Sequence, residues 1–214
     1  MSQTQPLIID VHGHYTTAPK ALEEWRNRQI AGIKDPASMP KVSELKISDD
    51  ELRETIEANQ LAKMKERGSD LTIFSPRASF MAHHIGDFNV SSTWAAICNE
   101  LCYRVAQLFP DHFVPAAMLP QSPGVDPATC IPELVKCVEQ YGNVGINLNP
   151  DPSGGHWTSP PLSDKAWYPI YEKNGRVRHS RHDPCQHQLQ QLLSHHGCAL
   201  PERRHHRIHA MPDQ

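Results

Sequence analysis

The chain has 214 residues and a formal net charge of -3, and 38% of its residues are hydrophobic. This length is sufficient for one folded domain, and the slightly acidic balance argues against a nucleic-acid-binding surface. No stretch has the apolar length of a membrane span, and the first residues lack the pattern of a signal peptide. The six cysteines show no disulfide framework. We therefore expect buried, reduced thiols in a cytoplasmic protein without nucleic-acid or membrane partners.

The most informative segment is an Asp-Val-His-Gly-His run at residues 10–14, which directly follows three apolar residues. A short apolar run ahead of a polar cluster is typical of a buried strand that ends at a functional rim, and we predict a strand at residues 7–11. Because residues i and i+2 of a strand share a face, His12 and His14 are predicted to project together. Two such imidazoles favour a zinc-type divalent ion. The alternative is a pair of polar histidines with ordinary hydrogen bonds.

The rest of the sequence up to residue 173 alternates predicted strands and helices. A Ser-Asp-Asp-Glu capping box at residues 48–51 opens a helix that Gly68 ends. Alternation of this kind predicts a parallel sheet with right-handed crossovers, whose active site lies where the strands end. Four strands are half of an eight-stranded barrel, so we predict an α/β fold, an incomplete (β/α)8 TIM barrel of about four β/α units. The further predicted strands are 71–74, 113–119 and 144–148, and the helices are 19–28, 49–67, 93–109, 131–141 and one from 164.

The chain changes character after Lys173. Residues 174–214 contain eight of the fourteen histidines and no Lys, Phe, Tyr or Trp. One interpretation is a His-rich metal-binding tail. The other is a shifted reading frame, because codons compatible with residues 174–189, read from the next base, encode a helix end, a turn and a strand containing Met-Ile-His. We predict that residues 1–173 are the N-terminal part of the barrel and that 174–214 are an out-of-frame, non-native, disordered tail.

Six motifs carry a resemblance to a known family, at residues 9–15, 48–60, 72–79, 118–123, 147–152 and 167–173. They resemble the metal-dependent amidohydrolases. Within that superfamily they resemble the branch of the aminocarboxymuconate-semialdehyde decarboxylases, and most closely its hydratases that act on 4-oxalomesaconate. The resemblance covers nearly all of residues 7–173 and stops there, where the family continues with the strand that carries its third metal-binding histidine.

The resemblance implies a hydro-lyase that adds water to a carbon–carbon double bond of a small tricarboxylate in protocatechuate or gallate degradation. It implies that His12 and His14 bind a divalent metal, for which zinc is expected. Arg77, after the second strand, is the candidate carboxylate clamp, because arginine binds carboxylates through two parallel hydrogen bonds. The alternative is a solvated surface arginine. Asn147 and Asn149 are candidate substrate contacts, although turn capping explains Asn149 equally well.

The other polar residues of the motifs receive different interpretations. Asp10 is interpreted as an orienting or structural residue on the face opposite the histidine pair, and His83 and His84 as loop residues. The third histidine and the distal acid/base of the family have no counterpart, so the catalytic residue is unknown and we expect this chain to be an inactive product. Two alternatives stay open: a decarboxylase or hydrolase of the same family, and a non-enzymatic His-rich metal-binding protein. The oligomeric state is left open.

Overall fold

A computed structural model describes residues 7–178 of the chain, and its four strands form one parallel sheet in the order β1-β2-β3-β4. The predicted tail lies outside the described residues from position 179 onward. This half-barrel confirms the predicted fold class. The strands are β1 (Ile9–Tyr15), β2 (Leu71–Pro76), β3 (Phe113–Met118) and β4 (Gly145–Asn147), and the helices are α1 (Lys20–Gly32), α2 (Asp49–Ile56), α3 (Ala62–Arg67), α4 (Phe88–Leu108), α5 (Ile131–Glu139) and α6 (Tyr168–Arg178).

The helices cover one face of the sheet with two apolar clusters. The larger cluster joins α1, α2 and α4 to the strands, and Trp94 and Phe74 are among its fully buried side chains. The second cluster packs α5 and α6 beside β4, around Leu134 and Trp167. Buried Asn99 on α4 makes two hydrogen bonds with the backbone of Met118, which fix α4 against β3. The carboxyl ends of the strands are therefore held in a defined arrangement.

The helix predicted from the capping box at Ser48 is interrupted once before its predicted end. Ser48 and Glu51 form both hydrogen bonds of the box, and Gly68 ends the helix with φ 68°. Between α2 and α3 the helix contains a π-helical turn at Glu57–Leu61. A π turn re-aims the side chains around it. Here Gln60 donates to the Thr16 hydroxyl, so the turn is connected to the end of β1.

Strand β1 extends further than predicted, and this changes where the histidine pair lies. The predicted strand ended at residue 11, whereas β1 runs from Ile9 to Tyr15 and contains both His12 and His14. Tyr15 is buried against Phe74, which holds the end of the strand in the sheet. Burial raises the pKa of the Tyr15 phenol to about 12, against the opposing effect of its hydrogen bond with Thr55.

The four cysteines within residues 7–178 are free and buried, as expected from the sequence. Burial raises the pKa of each thiol, to about 12 for Cys130, so these side chains behave as small apolar groups. The cysteines are Cys98, Cys102, Cys130 and Cys137.

No helix within residues 7–178 is long and apolar enough to span a membrane.

Candidate metal and substrate site

An irregularity in the pairing of β1 with β2 sets the faces of the first strand. Asp10 pairs with Thr72 and Gly13 with Phe74, so β1 has one residue more than β2 between these positions. Such a bulge reverses the alternation of side chains. Asp10 consequently shares the helix-facing side of Thr72, opposite to His14, and its carboxylate accepts a hydrogen bond from the His12 backbone at 3.0 Å.

The Nε2 atoms of His12 and His14 lie next to each other. The two atoms lie 3.1 Å apart, and the rings are nearly perpendicular, at 84°. Two zinc–nitrogen bonds of about 2.0–2.1 Å at a tetrahedral angle place their nitrogens about 3.3 Å apart. His12 is exposed and His14 half-buried, so the shared point is open to solvent. The pair therefore fits two positions of a metal's ligand set.

The other ring nitrogen of His14 is held by the backbone of β2. His14 Nδ1 lies 3.0 Å from the carbonyl oxygen of Pro76, which only accepts, so Nδ1 carries the proton. That tautomer leaves a lone pair on Nε2, which is the form that binds a metal. The Ser75 hydroxyl lies 2.8 Å from the same Nδ1 and donates to the Gly13 carbonyl. The imidazole orientation is thus fixed before any ligand arrives.

Asn147, at the end of β4, reaches this group across the sheet. Its Nδ2 donates to the Ser75 hydroxyl at 2.8 Å. Asn147 therefore lies beside His14 and is linked to it by the Ser75 hydroxyl. Its contact with substrate stays a prediction. Ser75 lies in the motif at residues 72–79 but carries no role predicted from the sequence. Only the register of three strands shows that Ser75 joins His14 to Asn147.

Asn149 lies in the loop after β4 with its side chain engaged by the protein. Its Nδ2 donates to the Met81 carbonyl, and its Oδ1 accepts from the Asp151 backbone. Gln121 pairs with both backbone groups of Asn149. These bonds tie together the loops that follow β2, β3 and β4. The turn-capping alternative stated for Asn149 describes this geometry, and its substrate contact stays a prediction.

Arg77 directly follows Pro76 and is exposed. It lines a cleft of about 300 Å³ between α1 and the loop after β2, together with Arg26 on α1. No carboxylate within residues 7–178 lies within 4 Å of either guanidinium. The cleft of the candidate clamp is thus lined by a second arginine, Arg26, for which the sequence predicted no role.

His83 and His84 lie in the loop after β2, away from the paired histidines. His83 is 1% exposed, and its Nδ1 is bonded to the Ser91 hydroxyl. Its Nε2 has no partner among the described residues. Burial, then the Arg26 charge and then His84 lower the pKa of His83 to about 4, so the ring is neutral near pH 7.

No group of three or more metal-binding side chains occurs within residues 7–178. Catalytic zinc sites typically have three protein ligands. The metal-binding role of His12 and His14 therefore stays a prediction, and no residue of this range is assigned as the third ligand or the distal acid/base that the resemblance implies.

The family model for amidohydrolases matches residues 9–178. A 2-keto-4-carboxy-3-hexenedioate hydratase from Sphingobium sp. (strain NBRC 103272 / SYK-6) is 58% identical over 167 residues, which are 78% of this chain and 48% of that protein. The crystal structure of a 4-oxalomesaconate hydratase from Rhodopseudomonas palustris shares 78% identity, with a TM-score of 0.75 over 80% of this chain and 50% of that one. The chain spans about half the length of these relatives.

More distant solved structures show the same fold. A 5-carboxyvanillate decarboxylase from Novosphingobium aromaticivorans, with bound manganese, is 17% identical and has a TM-score of 0.56. The match covers 82% of this chain and 50% of that one. At this identity the likeness concerns the fold alone.

Proposed function

The chain belongs to the amidohydrolase family, and from this premise we propose that it is the N-terminal part of a hydratase acting on 4-oxalomesaconate or a closely related tricarboxylate. The observation that carries the proposal is the pair of Nε2 atoms of His12 and His14, 3.1 Å apart at the carboxyl end of β1. Two hydratases, 58% and 78% identical to this chain, support the reaction type. The reaction adds water across a carbon–carbon double bond.

His12 and His14 would hold a divalent metal, and we propose zinc. A zinc-type ion at this place supplies Lewis-acid chemistry, which activates water or polarises a substrate oxygen. The protein holds His14 in the binding tautomer through the Pro76 carbonyl and the Ser75 hydroxyl. Partners of this kind beyond the ligands typically contribute tenfold to a hundredfold to metal affinity.

The substrate's carboxylates require cationic groups, and Arg77 is the proposed clamp. It directly follows Pro76, the last residue of β2, whose carbonyl holds His14, so Arg77 begins the loop at the carboxyl end of that strand. Asn147 is proposed to present its amide oxygen to the substrate while its nitrogen donates to Ser75. Asn149 is proposed as a further contact through the loops that it ties together. We assign no acid/base that moves a proton at carbon to this chain, because the resemblance implies that residue in the part of the family that follows residue 173.

Metal binding by the 214-residue chain tests the first half of the proposal. We expect weak, chelator-sensitive zinc binding, since two imidazoles are fewer than the three protein ligands of a catalytic site. His12→Gln and His14→Gln should each abolish it in a titration followed by calorimetry. His156→Gln, an exposed histidine in the loop after β4, is the matched control. Unchanged binding in both site variants would reject the pair as ligands.

Turnover of 4-oxalomesaconate tests the proposed hydratase reaction. We expect the 214-residue chain to be inactive on 4-oxalomesaconate, and the chain joined to the missing half-barrel to hydrate it. An assay on aminocarboxymuconate semialdehyde distinguishes a hydratase from a decarboxylase. Decarboxylation without hydration by the restored chain would replace the proposed reaction. Comparable hydration by the 214-residue chain itself would show that the missing half is not required.

We propose a shifted reading frame as the origin of residues 174–214. The support is their composition, since they hold eight of the fourteen histidines and no lysine or aromatic residue other than histidine. The nucleotide sequence around codon 174 decides this. Omitting one base should open a frame of more than about a hundred codons, because a closed barrel needs roughly 250 residues. A stop codon within a few dozen bases would reject it.

A further inference from the structure

Arg26 is a buried charge without an opposite charge. Only 7% of the residue is exposed, and no carboxylate of residues 7–178 lies within 4 Å of its guanidinium. One nitrogen donates to the Gln29 side chain, and the guanidinium carbon lies 4.9 Å from the centre of the Trp94 ring. Buried charges in proteins are normally paired, because removing an ion from water costs several kcal/mol.

The neighbours of Arg26 orient it without neutralising it. Gln29 is itself fixed by donating to the Val90 carbonyl, and Trp94 by donating to the Phe80 carbonyl. Burial lowers the pKa of the Arg26 guanidinium from its usual value, and its charge lowers the pKa of His83. An arginine side chain nevertheless keeps its proton in proteins. Its remaining N–H donors are therefore available for an anion.

The cleft beside Arg26 has the size and composition of a small-anion site. It encloses about 300 Å³ and is also lined by Arg77, Ser79 and Asn27, with Trp94 and Phe80 as apolar walls. Glu23 lines the cleft as well but pairs with neither arginine within 4 Å. We propose that this cleft binds a carboxylate group of a small polycarboxylate between Arg26 and Arg77.

Arg77 lines the cleft, and the preceding residue, Pro76, accepts the hydrogen bond from His14 Nδ1. The loop that contributes Arg77 to the cleft therefore begins directly after the residue that holds His14. This inference rests on the proposed function for the identity of the ligand, and it adds Arg26 as a second carboxylate-binding residue that selects substrates with a distant carboxylate.

Trp94 provides a direct readout of the cleft. We expect propane-1,2,3-tricarboxylate to change the tryptophan fluorescence of the 214-residue chain in a saturable way, because an anion on Arg26 alters the charge over the indole. The uncharged trimethyl ester should give no saturable change. Arg26→Gln and Arg77→Gln should each weaken binding by about tenfold to a hundredfold, since charge-assisted hydrogen bonds are lost. Glu23→Gln should strengthen it a few-fold by removing a like charge.

Arg28→Gln is the matched control, because Arg28 lies on the same helix but is exposed and paired with Glu44. It should leave the affinity unchanged. Arg77 is exposed, so its variant keeps the test decisive if Arg26→Gln fails to fold. Equal affinity in the original chain and in Arg77→Gln, or saturable binding of the ester, would overturn the proposal.

The binding experiment on the cleft and the test of the hydratase reaction can fail independently of each other. Fluorescence binding requires neither turnover nor a metal at the histidine pair. Binding that depends on Arg26 and Arg77, together with a restored chain that does not hydrate 4-oxalomesaconate, would retain the anion site and reject the hydratase. If the restored chain hydrates 4-oxalomesaconate and Arg26→Gln leaves its KM unchanged, the hydratase is retained and the anion site is rejected.

Discussion

Gly13 lies between the two candidate metal ligands and packs tightly against Thr72 and Ile73 of β2. A Cβ at this position would be 2.1 Å from the Thr72 methyl carbon and 3.1 Å from the Ile73 carbonyl oxygen. The contact with the backbone oxygen cannot be relieved by a side-chain rotation. The glycine between the histidines is thus required by the packing of β1 against β2.

We predict that Gly13→Ala costs about 1–3 kcal/mol of unfolding free energy, the usual range for overpacking. It should also weaken zinc binding, because relieving the clash displaces His12 and His14. Gly145→Ala in β4 is the control, since its Cβ would meet Ala116 at an ordinary 3.8 Å. Urea denaturation and zinc titration measure the two effects. Equal stability of the two variants would contradict the argument.

His83 makes the stability of the chain depend on pH. In the folded chain its pKa is lowered from 6.5 to about 4, whereas the unfolded chain retains a value near 6.5. Below pH 6.5 the unfolded state therefore binds more protons, so stability falls as the pH drops from 6.5 to about 4. A difference of this size corresponds to about 3 kcal/mol, fully lost only below the lower value.

We predict that His83→Gln flattens the decline of unfolding free energy between pH 6.5 and 4. Urea denaturation at several pH values and low protein concentration measures the slope. His156→Gln, an exposed histidine outside the core, should leave the slope as it is. If both variants retain the original pH dependence, the buried imidazole is not its source.

At the scale of elements, the start of α2 was predictable because its signal is local, whereas the predicted start of α4 at residue 93 was wrong, since α4 begins at Phe88 with Asp87 as its N-cap. The capping box of Ser48 and Glu51 forms as the sequence indicates. We predict that Ser48→Ala costs about 1 kcal/mol of unfolding free energy, the typical loss at an N-cap. Ser43→Ala, an exposed serine outside the helix, serves as control in the same denaturation experiment. No difference between the two variants would show that the box contributes nothing to stability.

The parts of the site that the sequence did not indicate depend on pairing between distant segments. The spacing of His12 and His14 within one strand predicted their shared face, and their Nε2 atoms are 3.1 Å apart. By contrast, Ser75 meets Asn147 only because β2, β3 and β4 have one particular register. Arg26 looks like any charged residue on an amphipathic helix, and its burial follows from the packing of α1 against α4, where Trp94 lies beside its guanidinium.

At the scale of the whole molecule, the sheet of the described residues is open at both edges. β1 pairs with β2 and β4 with β3, so β1 and β4 each have one unpaired side within residues 7–178. The amino end of β1 also exposes apolar side chains: Val11 is 70% exposed, Ile8 52% and Ile9 37%. In a closed barrel every strand edge is paired, whereas an edge strand that stays uncovered is a template for pairing with other chains. The chain therefore carries an association surface that its half-barrel does not cover.

We predict that the 214-residue chain elutes as dimers or larger species in size-exclusion chromatography with light scattering. Val11→Lys should shift it toward the monomer, because a lysine on an exposed edge opposes strand pairing. Val42→Lys is the matched control, since Val42 is 49% exposed but lies in the loop before α2, away from the sheet. Equal shifts in both variants would assign the effect to net charge alone. A monodisperse monomer of the unchanged chain would mean that other residues cover the edge of β1, and hydrogen exchange of the β1 amides would then show protection equal to that of β2.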